Sequence, residues 1–409
     1  MVAKRNLIVL GCATALAACG GGTGPQTVGG SAPPTAGGSG SGDTHSFVNP
    51  TEAKTYEAIG GVHHYEYYTD SNKTVQRGQL YAGDANTARD SGISVAYDPR
   101  DAIFELTISR PNAQVSTDGR FQDPAHRTDF GGAKEPQAGV PNLDPAKNIQ
   151  YLQFGSGSGS QLPTGSPYYT AGAAQSDYVV GARDYTSDTY SFFYQKPGTT
   201  TQYVTYAGYV HNQVSASEIQ DDPASPSYLR EQYHLDRGAF VFGERTTNAN
   251  VPKTGSGTFT GDMIATMVFN PDLDTNAGAP TYFQWIDGSQ TTTVDFGALS
   301  VKSDFTGTVL APSIDAYTSG ASSMPAGSTF SASAQATIDL VNKGGFTGSF
   351  TSAKFERPGM SDFTVNIAGS SIDGAFFGPN GEEIGGGFRI VGGTPDERID
   401  ILGAFTGKK

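Results

Sequence analysis

One tripeptide recurs four times in the second half of this chain: Phe259-Thr260-Gly261, Phe305-Thr306-Gly307, Phe346-Thr347-Gly348 and Phe405-Thr406-Gly407. Between the last two copies lies the run Gly374-Ala375-Phe376-Phe377-Gly378-Pro379-Asn380-Gly381-Glu382-Glu383-Ile384-Gly385-Gly386-Gly387-Phe388. It reads as a strand ending in an aromatic pair, a Gly-Pro-Asn-Gly turn and a glycine-rich return strand. Glycine inside a strand costs stability unless a bend, a bulge or a close backbone approach requires it. A small barrel needs such bends to close. The pattern therefore predicts a barrel whose interior is filled by aromatics and whose corners are turned by glycines, with Phe376, Phe377, Gly378, Pro379, Gly385, Gly386 and Phe388 as its closing element.

The flanking periodicity agrees. Phe330, Ala332, Ala334, Ala336, Ile338 and Leu340 fall on one side of an alternating run, with Ser331, Ser333, Gln335, Thr337 and Asp339 on the other. Phe363, Val365 and Ile367 alternate likewise, as do Ile399, Ile401, Gly403 and Phe405. Period-two patterning with one apolar face marks antiparallel strands wetted on one side. At least seven such runs lie between Thr258 and the C-terminus, which favours a closed barrel over an open sheet. Earlier in the chain, Ile93 to Tyr97, the turn Asp98-Pro99-Arg100-Asp101 and Ile103 to Ile108 read as a hairpin. Tyr190 to Lys196, Pro197-Gly198 and Thr199 to Val210 read as a second. Residues 110 to 180 are rich in Gly, Pro, Asn, Asp and Ser and read as long loops. Asn49-Pro50-Thr51-Glu52 has the form of a helix start and Gly60-Gly61 of its stop. Asp221-Asp222-Pro223 to Pro226 reads as a loop with room for a short helix after it. The fold class expected is all-β with minor helix.

The N-terminus indicates the compartment. Lys4 and Arg5 precede an apolar stretch from Leu7 to Ala18 that is too short to span a bilayer as a mature helix. The segment ends Leu16-Ala17-Ala18-Cys19-Gly20, which resembles the lipobox of bacterial lipoproteins. That resemblance implies a signal peptide over 1–18 and acylation of Cys19. Because Gly20 rather than Asp follows the cysteine, it also implies sorting to the outer membrane of a Gram-negative bacterium. The chain has two cysteines. Cys12 lies in the leader, so the mature protein has no partner for a disulfide. Residues 19–44 are mostly Gly, Ser, Pro and Thr and form a flexible tether, about 25 residues reaching roughly 25–30 Å. The formal charge of −14 becomes −16 without Lys4 and Arg5, and no basic run is present, which argues against nucleic acid as a partner.

With these features in place, the C-terminal part resembles the β-barrel of the transferrin-binding protein B family of surface lipoproteins. The glycine–aromatic–Gly-Pro turn, the acidic pair Glu382-Glu383, Gly385-Gly386, Phe388 and the last strand Gly403 to Gly407 follow that family's order. The resemblance implies an eight-stranded antiparallel β-barrel over 253–409. It also implies an N-terminal β-rich handle domain over 45–252, with Arg237 to Thr246 as the handle strand that feeds the barrel. Single-lobe relatives of this kind capture protein or haem ligands for iron or haem acquisition. A lipid-anchored surface protein with an outer-membrane receptor is thereby implied, and an adhesive or structural surface lipoprotein without an iron role is the alternative.

Enzyme motifs are missing: there is no G-x-S-x-G, H-E-x-x-H or C-x-x-C. The six histidines, His45, His63, His64, His126, His211 and His234, look scattered. His63-His64-Tyr65-Glu66-Tyr67-Tyr68 has two readings. His63, His64 and Tyr65 are residue types that ligate or sandwich haem. Equally, the run is an aromatic strand with His63, Tyr65 and Tyr67 on one face and His64, Glu66 and Tyr68 on the other. Asp272 to Gly278 departs from a calcium loop in the position of its glycine and reads as a polar hairpin loop.

Overall fold

The computed structural model describes residues 52–73, 75–86, 91–122, 138–159, 184–272, 276, 278–315, 317–392 and 398–409, all within one compact unit. Cys19, the tether, His45, His126, the proposed helix start at 49–51 and most of the 272–278 loop lie outside the described residues. The first half contributes ten strands: β1 (Lys54–Glu57), β2 (Ile59–Asp70), β3 (Arg77–Asn86), β4 (Ile93–Asp98), β5 (Ile103–Arg110), β6 (Val115–Gln122), β7 (Ile149–Gly159), β8 (Tyr185–Gln195), β9 (Val204–Ile219) and β10 (Tyr228–Gly243). Nine follow: β11 (Ser256–Asn270), β12 (Tyr282–Asp295), β13 (Ser300–Val309), β14 (Thr329–Asp339), β15 (Gly345–Glu356), β16 (Phe363–Thr364), β17 (Ile367–Phe377), β18 (Glu383–Gly392) and β19 (Arg398–Lys408). Among the described residues the helical pieces are two three-residue 3₁₀ turns, Pro111–Ala113 and Pro145–Lys147.

The expected eight-stranded antiparallel barrel is present. β11, β12, β13, β14, β15, β17, β18 and β19 pair in that order, and β19 returns to β11, with the two-residue β16 laid on β15. Its interior is solid. The four Phe-Thr-Gly aromatics Phe259, Phe305, Phe346 and Phe405 belong to one buried cluster with Phe376 and Phe388. The glycines act differently from the corner-turning role expected. Gly386 pairs with Phe405, Gly403 with Phe388, and Gly374 with Phe346 across neighbouring strands. A methyl group on Gly403 would lie 2.3 Å from the Phe388 ring, and one on Gly374 would lie 2.2 Å from the Phe346 ring. Each ring lies over a cross-strand residue that has no side chain. Eight strands enclose too little space for this many rings unless their opposite numbers are empty, so glycine supplies room rather than bends.

The first half forms two further sheets. One has six strands in the order β3-β2-β10-β9-β8-β7, and one has four in the order β1-β4-β5-β6. The expected hairpins are β4–β5 and β8–β9. Three expectations fail. Lys54 to Gly61 is strand, not helix, and Tyr228 onward is strand rather than a short helix. The 110–180 stretch holds β6 and β7 among its loops.

The six-stranded sheet is the middle of three layers. One of its faces carries Val62, Leu152, Phe192, Tyr209 and Phe240 and packs on Val95, Phe104 and Ile108 of the four-stranded sheet. The opposite face carries Ile59, Phe193, Tyr206 and Val241 and packs on the outer wall of the barrel at Ile264, Trp285, Phe377 and Leu402. The Phe376-Phe377 pair therefore divides its labour, with Phe376 inside the barrel and Phe377 on the six-stranded sheet. The chain leaving β10 is tied to the same segment. The Gly378 N–H donates to the Glu244 carbonyl at 2.9 Å and the Thr246 N–H to the Phe376 carbonyl at 2.9 Å. Gly378 has φ +86° and a Cβ there would strike Tyr203, so only glycine fits. Glu383, buried beside it, accepts backbone N–H groups from Gln202, Tyr203 and Val204 at 2.7, 2.8 and 3.2 Å.

Two stability predictions follow from this packing. Gly403→Ala should destabilise the protein by about 1–3 kcal/mol in urea unfolding, the usual cost of overpacking, and adding Phe388→Leu should recover part of the loss. An additive double mutant would show that the ring does not use the glycine as its socket. Glu383→Ala strands one buried and two half-buried backbone N–H groups and should cost roughly 1–3 kcal/mol.

Candidate functional site

β2 places its alternate residues as the sequence pattern requires. His63, Tyr65 and Tyr67 face the barrel. Tyr67 stacks on Tyr65 and Tyr233 with ring centroids 4.9 and 4.6 Å apart, and its hydroxyl donates to Asp315 at 3.0 Å. His63 is fully buried, stacked on Phe283 at 6.1 Å, with Nε2 3.5 Å from Asp400. Asp400 is itself held by a two-point Arg389 fork at 3.0 and 2.6 Å and by the Tyr81 hydroxyl at 2.5 Å. Burial pushes its carboxyl up, but His63 and Arg389 outweigh this and hold it well below the usual carboxylate range. His64 points to the opposite face, so the three residues considered for haem do not converge: His63 and Tyr65 lie on one side of the sheet and His64 on the other.

On the His64 side the sheet assembles what the sequence left apart. Register sets Asp236 opposite His64 on one flank and opposite His211 on the other, with His234 opposite Glu66. The result is a chain of alternating acids and imidazoles across four strands. Asp188 Oδ1 lies 2.9 Å from His211 Nε2, and His211 Nδ1 lies 2.8 Å from Asp236 Oδ2. Asp236 Oδ1 then meets His64 Nδ1 at 2.6 Å, and His64 Nε2 meets Glu66 Oε1 at 2.9 Å. The same Glu66 oxygen lies 2.9 Å from His234 Nδ1. Tyr190 stacks on the His211 ring at 4.3 Å. The middle of the chain is buried and both ends meet solvent: the Asp236 side chain is 10% exposed, that of Asp188 is 34% exposed and that of His234 is 42% exposed.

The electrostatics follow from this alternation. Burial pulls the His211 imidazole down, yet hydrogen bonds to Asp188 and Asp236 outweigh it and lift the group to about 9. His64 is raised for the same reason, with Asp236 and Glu66 as partners. Burial raises Asp236, but the two imidazoles win and hold it below the usual carboxylate range. The site is a row of compensated charges, each of which would be costly alone. The sequence shows His211 and His234 only as scattered histidines and does not single out Asp188 or Asp236. The signal available was a pair of same-face dipeptide steps, His64-x-Glu66 and His234-x-Asp236, at strand spacing.

Residues 251–409 match the family model described as the C-lobe and N-lobe beta barrels of Tf-binding protein B. Over that region the chain is a transferrin-binding protein B-type barrel. Solved structures of transferrin-binding protein B are similar at low identity. A double mutant from Haemophilus parasuis Hp5 is 12% identical with a TM-score of 0.31, covering 87% of this chain and 76% of that one. Intact Ap-TbpB, with N and C lobes, is 12% identical with a TM-score of 0.29, covering 88% and 78%. The isotype 1 protein from serogroup B Neisseria meningitidis is 12% identical with a TM-score of 0.25, covering 88% and 77%. No curated protein matches the chain. The acid–imidazole row lies on β2, β8, β9 and β10, outside the matched barrel residues.

A pH prediction comes from His211. Its folded value of about 9 stands above the ordinary ~6.5, so its contribution is fully present below about pH 6.5 and is lost as pH rises through 9. The difference corresponds to about 3 kcal/mol at 1.36 kcal/mol per unit. His211→Gln should lower the urea midpoint at pH 6 and flatten the fall in stability between pH 6.5 and 9.5. An unchanged slope would mean that the imidazole is not charged in the folded protein.

Proposed function

We propose that this chain is an outer-membrane-anchored surface lipoprotein that captures an extracellular ligand for iron or haem acquisition. The observation that carries the reading is the transferrin-binding protein B-type barrel over residues 251–409, joined to a sequence with a lipobox-like Cys19 and a Gly/Ser/Pro tether. The proposed organisation is a signal peptide over 1–18, a tether over 19–44, a handle over 45–252 and a barrel over 253–409. In this reading the barrel is a stand rather than a container, since its interior is packed with aromatic rings. Ligand contact falls to loops and sheet edges of the handle, because binding residues concentrate on loops held by a rigid scaffold.

The chemistry is capture, not catalysis. Between the two ligand classes, the burial of His63 and the opposite-facing His64 favour a protein ligand over haem at β2. An adhesive surface role without iron is the second reading, favoured by the acidic charge of −14 and the 20 tyrosines.

Cys19→Ala should move the protein from the membrane pellet to the soluble fraction, and unchanged fractionation would overturn the lipid anchor. Haem titration of the purified protein should leave the Soret band of free haem unshifted. A shift abolished by His64→Ala would instead establish haem as the ligand. Growth of a deletion strain on transferrin, haemoglobin or haem as sole iron source separates the acquisition reading, which requires a defect, from the adhesive one.

A further inference from the structure

We infer that His64, Glu66 and His234 form a binding site for a divalent first-row transition ion, with Zn(II) the best fit and Asp236 as the residue that orients His64. The inference is independent of the ligand-capture reading.

Three ligand atoms converge. His64 Nε2, Glu66 Oε1 and His234 Nδ1 all lie within 4.8 Å of one another. The carboxylate oxygen is 2.9 Å from each ring nitrogen. In a tetrahedral zinc site with bonds of ~2.0–2.1 Å, neighbouring ligand atoms stand about 3.3 Å apart. The two His–Glu separations need to open by only a few tenths of an ångström for an ion to take the place of the shared protons. Backbone placement is rigid: His64 and Glu66 alternate along β2, and His234 is directly opposite Glu66 on β10, so all three project from one sheet face.

The tautomer is also set. His64 Nδ1 is 2.6 Å from Asp236 Oδ1, which keeps the proton on Nδ1 and leaves the Nε2 lone pair for a metal. A carboxylate behind a ligating imidazole is the usual supporting arrangement in protein metal sites. Asp236 is in turn fixed from its other oxygen by His211 at 2.8 Å. Two imidazoles and one carboxylate suit Zn(II) and neighbouring ions rather than Ca(II) or Mg(II), which prefer all-oxygen shells. The ion would have open positions toward solvent, since the side chains of His234 and Glu66 are 42% and 31% exposed. Binding releases any proton carried on His64 Nε2 or His234 Nδ1.

The test is calorimetric titration of Zn(II) into the purified, tag-free, chelator-stripped full chain, with Co(II) absorption as a spectroscopic readout. One ion per chain is expected, with a rise in melting temperature. His234→Gln and Glu66→Gln should each weaken binding by at least tenfold. These two positions are partly exposed, so circular dichroism should show the variants folded, and they decide the question even if His64→Gln does not fold. Asp236→Asn should weaken binding by about 10–100-fold while leaving one site per chain. Absence of stoichiometric binding in the wild type would overturn the site, as would wild-type affinity in both His234→Gln and Glu66→Gln.

Discussion

Over its middle the six-stranded sheet is covered on both faces, and the rest of the molecule is arranged around that constraint. One side is covered by the four-stranded sheet and the other by the outer wall of the barrel. Over Asp236–Gly243 every residue of β10 is buried, so alternation no longer sorts apolar from polar. A sheet buried on both sides cannot leave polar side chains to water. They must satisfy one another. Asp188, His211, Asp236, His64 and Glu66 do so in a row on one face, and Asp400, Arg389 and Tyr81 do so at the barrel seam beside His63. Removing one member of such a set leaves a buried charge without its partner, which costs more than the pair contributes.

The same constraint explains which elements could be seen in the sequence. β14 has one apolar face and its period-two pattern is plain in Phe330 to Leu340, whereas β19 is buried on both faces, with Ile399, Ile401 and Phe405 inside the barrel and Leu402 and Ala404 against the six-stranded sheet. β1 and the first residues of β2 read as helix and stop because Gly60-Gly61 looks like punctuation. In the fold, a Cβ on Gly60 would strike the Ala239 carbonyl at 2.2 Å, and one on Gly61 would strike the Asp84 carbonyl at 2.5 Å. These glycines permit neighbouring strands and layers to approach, a reason that no local pattern contains. β6 and β7 were passed over because Val115 to Gln122 and the Gly-Ser end of β7 carry too few apolar residues to stand out. Barrel, hairpins and aromatic filling were legible; the imidazole row was not, because it exists only once register sets β2, β10, β9 and β8 side by side.

The Phe–Gly pairs and the acid–imidazole row solve one problem in two ways. In the barrel, space is short and the partner of a large ring is an empty residue. In the middle sheet, solvation is absent and the partner of an ionisable group is its opposite charge. Both make a cross-strand pair, rather than a single residue, the unit that carries the energy. Both also fix register, since a one-residue slip would set ring against ring in the barrel and turn every ionisable group in the sheet to the wrong face.

That division limits where recognition can take place. The barrel interior is filled and its outer wall is partly covered by the six-stranded sheet, which is itself covered on both faces over its middle. The large apolar side chains left exposed among the described residues, Leu80, Leu299, Val341 and Met360, do not make a broad patch: Leu80 lies on an edge strand and the others in turns. Among the described residues the surface left open is one of polar loops and edges, where affinity depends on a few well-placed contacts more than on apolar area. The acid–imidazole row reaches that surface at His234 and Glu66 and, at its other end, at Asp188, so that pre-positioned, charge-tuned groups pass from the buried sheet to solvent.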